Sequence, residues 1–229
     1  MSKKIAVFSL GVLFVLGLVT NVDARIRRGG AYGNPEGKVS FATHVGAFVP
    51  TNEFGDIAET GIRWGAALDF YPTPDASIGF DFGFGEADAK DFMVQREENR
   101  LERPAPEGLG QPVQIQSFNY RSYRLGINGR FNIPTGSGVS PYLEAGMGAY
   151  WTQRRVNGFT LSSGPLFEFS ERRTTGTAGG NVGLGLNAQM GRRTNMYAGF
   201  QFHQLFDTQP EGIDNFASFT FGLGIGLWP

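Results

Sequence analysis

Residues 217–228 read ASFTFGLGIGLW. Phe219, Phe221, Leu223, Ile225 and Leu227 fall on one face of an extended chain, and Ser218, Thr220, Gly222, Gly224 and Gly226 on the other. Successive side chains of a strand point to opposite faces, so strict alternation at this length reads as a strand between two unlike environments. A helix is a poor alternative, because each interior glycine costs about 1 kcal/mol relative to alanine.

The same pattern recurs along the chain. Alternation marks strands over residues 39–49, 61–70, 76–85, 123–133, 141–154, 177–190, 195–203 and 217–228. Ile78, Phe80, Phe82 and Phe84 alternate with Gly79, Asp81, Gly83 and Gly85. Leu125, Ile127 and Phe131 stand against Arg124, Gly126 and Arg130, and Leu143, Ala145, Met147 and Trp151 against Glu144, Gly146, Gly148 and Tyr150. Each segment suits a tilted bilayer crossing, and an even set of such strands fits a closed barrel. The predicted fold class is all-β: an eight-stranded antiparallel up-and-down transmembrane β-barrel.

A soluble eight-stranded barrel of the lipocalin kind also alternates, with its apolar face inward. The second face decides between them. A water-facing sheet should carry Lys, Glu and Thr. Here that face is mostly Gly with Asn, Ser and a few charges, and the lysines (Lys3, Lys4, Lys38, Lys90) all lie outside the predicted strands. Glycine suits a narrow lumen, so the Phe/Leu/Ile face is assigned to lipid. Connection lengths agree. Residues 71–75, 134–140 and 191–194 make short turns, while 50–60, 86–114, 157–173 and 207–215 are long, in strict alternation. Short periplasmic turns and long outer loops are the outer-membrane pattern. Phe70 and Phe131 are candidates for an inner aromatic girdle, and Trp64, Phe84, Tyr123 and Trp151 for an outer one.

The start of the chain reads as an address. Lys3 and Lys4 precede an apolar run from Ile5 to Val19, and Val22 and Ala24 stand where a signal peptidase would cut. Residues 1–24 are expected to be a signal peptide, 25–37 a periplasmic leader carrying Arg25, Arg27 and Arg28, and 38–229 the barrel. The expected location is the outer membrane of a Gram-negative-type bacterium. The chain of 229 residues has a net charge of −1, which gives no sign of nucleic-acid binding, and no cysteine. That excludes disulfides, thiolate metal sites and a lipid-modified N-terminal cysteine. Gly at 34 and Phe at 21, with an ordinary hydrophobic fraction of 41%, speak against a helical protein.

Residues 140–151 (SPYLEAGMGAYW), 181–190 (NVGLGLNAQM) and 219–228 (FTFGLGIGLW) resemble the small outer-membrane barrels of the OmpA, OmpX and OmpW type. The resemblance spans essentially the whole mature chain. Because the last predicted strand runs to the end of the sequence, a barrel alone is expected, without a periplasmic peptidoglycan-binding domain. The resemblance also implies the barrel-insertion machinery as a partner during biogenesis, read through a terminal aromatic residue. Here that aromatic is penultimate, Trp228 before Pro229.

Function is less legible. Arg63, Asp69, Asp81, Arg124, Arg130, Glu144 and Arg154 fall on the lumen face. Buried charges must pair or reach water, so they are expected to form a polar network filling the interior. A structural or surface-interaction barrel follows; the alternative is a narrow OmpW-like channel for small or hydrophobic molecules. A membrane-embedded lipid-modifying enzyme stands far behind, since neither His44 nor His203 has a nucleophile motif near it. No catalytic, cofactor or metal site is predicted. Residues 86–114 are densely charged and expected to be a solvated loop, with a short surface helix over 87–101 as the alternative. Outer-membrane lipids and lipopolysaccharide are the expected partners, with Arg154, Arg155, Arg172 and Arg173 facing lipid phosphates. A monomer is expected rather than an oligomer.

Overall fold

The computed structural model describes residues 37–103, 109, 111–161, 167–206 and 213–227. The expected signal peptide, most of the leader and Trp228 lie outside these residues. Eight strands follow in order: β1 Lys38–Thr51, β2 Gly61–Tyr71, β3 Ala76–Asp88, β4 Val113–Asn132, β5 Val139–Thr160, β6 Glu168–Gln189, β7 Thr194–Leu205 and β8 Asn215–Gly226. Helix α1, Asn52–Ile57, follows β1, and helix α2, Asp91–Leu101, follows β3. Every strand pairs antiparallel with its neighbour in sequence, and β1 pairs with β8 from Ser40↔Gly226 to Thr51↔Asn215. Closure removes the sheet edges, so the backbone groups of the crossing find partners without water.

The barrel is apolar outside and polar inside. Phe80 is 62% exposed and Met147 68%, whereas Arg124 is 1% and Glu144 3%. That is the reverse of a water-soluble barrel, and it puts the Phe/Leu/Ile face against lipid. Trp64, Phe84, Tyr123 and Trp151 are successive cross-strand neighbours and form one aromatic row around the outer rim. Ring centroids there are 5.6 Å apart for Trp64–Phe84 and 5.1 Å for Phe84–Tyr123. Amphipathic rings at this level fit the bilayer interface.

β4, β5 and β6 run well beyond what the alternation predicts, the other strands by a few residues at most. β4 begins ten residues before residue 123, β5 continues past 154, and β6 starts at Glu168 rather than 177. The reason is an inversion of phase. Beyond the aromatic row, Phe118, Tyr120 and Val156 face inward and are buried, while Asn119, Arg121 and Arg155 face the other way. In water the apolar face must turn in, so the strand continues while its hydrophobic phase flips. The solvated loop expected over 86–114 is thus corrected. Its described residues include the end of β3, helix α2 and the start of β4.

In the lumen, large residues lie over glycines. Tyr197 faces Gly222 across the β7–β8 ladder, and a Cβ added at Gly222 would collide with its ring. Tyr142 packs in the same way over Gly185 and Gly199. Gly222→Val should lower stability by about 1–3 kcal/mol through overpacking. Leu223→Val on the lipid face should cost much less. Urea unfolding of protein refolded in lipid measures both.

Candidate functional site

The membrane part of the lumen holds a charge network. Arg124 on β4 is buried and forms an ion pair with Asp81 on β3. Its other donors reach Tyr150 Oη at 2.9 Å, Asn128 Oδ1 at 2.8 Å and Asn181 Oδ1 at 2.6 Å. Asn128 passes the network down by donating to Glu144 Oε1 at 2.9 Å. Glu144 also accepts from Arg130 at 2.8 Å and from Gln201 at 2.5 Å. Arg130 lies between the Tyr142 and Tyr197 rings, 4.6 and 5.1 Å from their centroids. The barrel register makes room for these groups: Arg124 faces Gly83, Asp81 faces Gly126 and Glu144 faces Gly183.

The structure does not join all the predicted residues directly. Asp69 and Arg63 are buried but make no direct ion pair among the described residues. Asp69 lies in the field of Arg130, and Arg63 in those of Arg124 first and Asp81 second. The Arg63 guanidinium stands 5.7 Å from the Phe216 ring, and its Nε has no partner. Arg63, Arg124 and Arg130 nonetheless balance Asp69, Asp81 and Glu144 in charge, which is what a low-dielectric interior requires. Arg154 departs from the expected set. It points inward, but above the membrane, where it binds Glu97 on α2 at 2.6 Å and lies 4.8 Å from the Phe118 ring.

Above this network an aromatic cap fills the lumen. Phe48, Phe54, Phe118, Tyr120, Tyr150 and Phe216 are all buried in one cluster. Phe54 enters from α1, 5.9 Å from Phe48 and 5.5 Å from Tyr120 between ring centroids. Asn52 adopts a φ of 52° just before that insertion, a conformation asparagine tolerates better than most residues. Sequence reading missed α1 because six residues carry no helical period. His203 lies in the cap, stacked on Phe216 at 4.4 Å, bonded to Tyr150 at 3.0 Å and with Ser218 Oγ 3.5 Å away. His203 and Ser218 are both 0% exposed, enclosed within the barrel. His44 faces Tyr197 at 3.3 Å.

Helix α2 ties the cap to the extended strands. Lys90 Nζ donates to Gly55 O at 2.5 Å, joining the turn before α2 to α1. Glu98 accepts from the Ile115 amide at 3.0 Å, covering the free side of β4. Arg100 binds both Glu97, at 2.5 Å, and Glu171 on β6, at 2.6 Å. Burial alone would raise the Glu97 carboxyl pKa, but hydrogen bonds from Arg100 and Arg154 outweigh it and hold it below its ordinary value. A cleft of about 770 Å³ opens outward between α1, α2 and the strands, with Ile57 and Tyr120 beside Glu53, Asp56, Arg96 and Arg173.

Residues 10–226 match the family described as "Outer membrane protein beta-barrel domain". The chain belongs to this family of outer-membrane barrels. Among solved structures the barrel is similar to Neisserial surface protein A, at 12% identity and TM-score 0.51, covering 83% of this chain and 97% of that one. It is also similar to Ail of Yersinia pestis, at 13% identity and TM-score 0.48, covering 84% and 100%. OprG of Pseudomonas aeruginosa follows at 11% identity and TM-score 0.47, covering 86% and 99%. At these identities the likeness is one of fold. No curated protein matches the sequence.

Two outcomes follow for this outer-membrane barrel. Asp81→Ala leaves the Arg124 charge buried without its carboxylate and should cost about 3–5 kcal/mol, whereas Asp81→Ala with Arg124→Met should recover much of that loss. Urea unfolding in lipid reads both. Glu97 has a depressed folded pKa, so its contribution is complete above its unfolded value of about 4.3 and is lost as pH falls through the lower folded value. Hydrogen-exchange protection of α2 should weaken over that acidic window, and Glu97→Gln should remove this pH dependence.

Proposed function

We propose that this outer-membrane barrel is a closed, non-catalytic scaffold whose role lies in the surface it presents outside the membrane. The observation that carries this reading is the stacking of two seals in one lumen. The Arg124–Asp81–Glu144 network fills the membrane part, and the Phe48–Phe54–Phe216 cap fills the outer mouth. An eight-stranded barrel has an interior that side chains can fill, and here aromatic rings and paired charges fill it. The extended β4, β5 and β6, with α2 laid against them, then form a platform above the aromatic row. Export by the signal peptide over residues 1–24 of a Gram-negative-type cell completes the reading, on the pattern of a basic start, an apolar run and a small-residue cleavage site.

Planar-bilayer recording of the refolded protein tests it, with folding established beforehand by heat-dependent gel mobility. Correctly folded protein should show no sustained conductance. Steady, reproducible channel events would overturn the closed reading in favour of a narrow channel, and replacements at Arg124, Arg130 and Glu144 should then alter its ion selectivity.

A further inference from the structure

The register of β5 and β6 places two arginine pairs side by side, Arg154↔Arg173 and Arg155↔Arg172. Consecutive residues of a strand face opposite ways, so one pair points inward and the other outward. The inward pair has its counter-charges: Arg154 binds Glu97 at 2.6 Å, and Arg173 binds Glu171 at 3.0 Å. The outward pair has none. Among the described residues no carboxylate forms an ion pair with Arg155 or Arg172. On the β4 side Arg155 neighbours Asn119, and the first acid along that row is Asp88, a further strand away. In the next row toward the membrane, Glu86 is already held by Arg121 at 3.0 Å. Gln153, with its amide oxygen turned to Arg172, accepts from Nε and Nη2 at 2.8 Å, but it brings no charge.

Like charges directly opposite each other on neighbouring strands repel. A site with two guanidiniums and no acid is therefore short of an anion, and its position says where that anion comes from. Arg155 lies on the same strand face as Trp151, four residues further out, or about 13 Å along a tilted strand. Trp151 belongs to the aromatic row at the bilayer interface, so the pair stands at the level of the outer headgroups. The planar fork of arginine matches the oxygens of a phosphate, and two forks from adjacent strands can hold one phosphate between them.

We propose that Arg155 and Arg172 together bind a phosphate of a phosphorylated glycolipid in the outer leaflet. The site deepens the reading of the extension as the working surface, yet its test is independent of whether the lumen conducts. The full chain, refolded in detergent, is mixed with bisphosphoryl lipid A and washed, and the retained lipid is quantified by mass spectrometry. R155Q/R172Q should retain about tenfold less than the parent chain, and R173Q, on the inward side, should retain as much as the parent. Dephosphorylated lipid A should be retained equally by the parent and the double variant, and millimolar inorganic phosphate should not displace lipid A. Equal retention of lipid A by the parent and R155Q/R172Q would overturn the proposal. So would displacement by inorganic phosphate, which would mark a site for free anions. If the double variant does not fold by heat-dependent mobility, R155Q and R172Q made singly should each lose about threefold, and retention by both equal to the parent's would overturn the proposal.

Discussion

Inside hydrocarbon an unpaired backbone N–H or C=O costs several kcal/mol, and a sheet can meet that constraint only by closing on itself. The β1–β8 ladder from Ser40↔Gly226 to Thr51↔Asn215 performs the closure. Once the ring is shut, strands must alternate between a lipid side and a lumen side. Phe80 and Met147 then face outward, and Arg124 and Glu144 inward. The ring also dictates glycine content. An eight-stranded lumen is narrow, and each large inward side chain needs a small residue opposite, as Tyr197 has in Gly222 and Arg124 in Gly83.

Charge balance in that lumen is a second-order consequence of the same enclosure. Three arginines and three carboxylates share a space with little water, and Arg124 and Glu144 spread their charge through Asn128, Asn181 and Gln201. Arg63 is the exception. It is enclosed beside Phe216, and its Nε lacks a hydrogen-bond partner, as do Asp81 Oδ1 and Asn181 Nδ2 in the same lumen. Above the aromatic row the environment reverses, and so does the chemistry of the inward face. Phe118, Tyr120 and Val156 replace the polar lining, and Phe54 from α1 completes a hydrophobic core of the ordinary water-soluble kind. One barrel thus contains two interiors, polar where lipid surrounds it and apolar where water does.

The outer platform is held differently along its two sides. On the β4 side, Glu98 of α2 accepts the Ile115 amide, and Ala89 donates to Phe118 O at 2.8 Å, so helix and turn replace the missing strand. On the β6 side, register pairing with β7 reaches only to Gly179, the Phe206 amide adds a bond to Ala178 O at 3.0 Å, and Glu168–Thr177 pair with β5 alone among the described residues. Ion pairs from Arg100 and Arg154 to Glu97 and Glu171 fasten the helix across the mouth to both β5 and β6.

Alternation determined the eight strands and placed Arg63, Asp69, Asp81, Arg124, Arg130 and Glu144 on one face, because a period of two follows directly from strand geometry and needs no knowledge of partners; the glycine-rich second face and the alternating connection lengths then gave the lipid-facing side and the up-and-down order. It lost the strands beyond Tyr123 and Trp151, where the hydrophobic phase inverts on leaving the membrane, and it placed Arg154 with the lumen charges because inward facing is the same in both zones. Only the closed tertiary structure decided which charges meet, that Phe54 on a six-residue helix fills the mouth, and that Glu97 is the partner of Arg154. Those contacts join residues far apart in sequence, and strand register and loop path, which local patterns do not encode, bring them together.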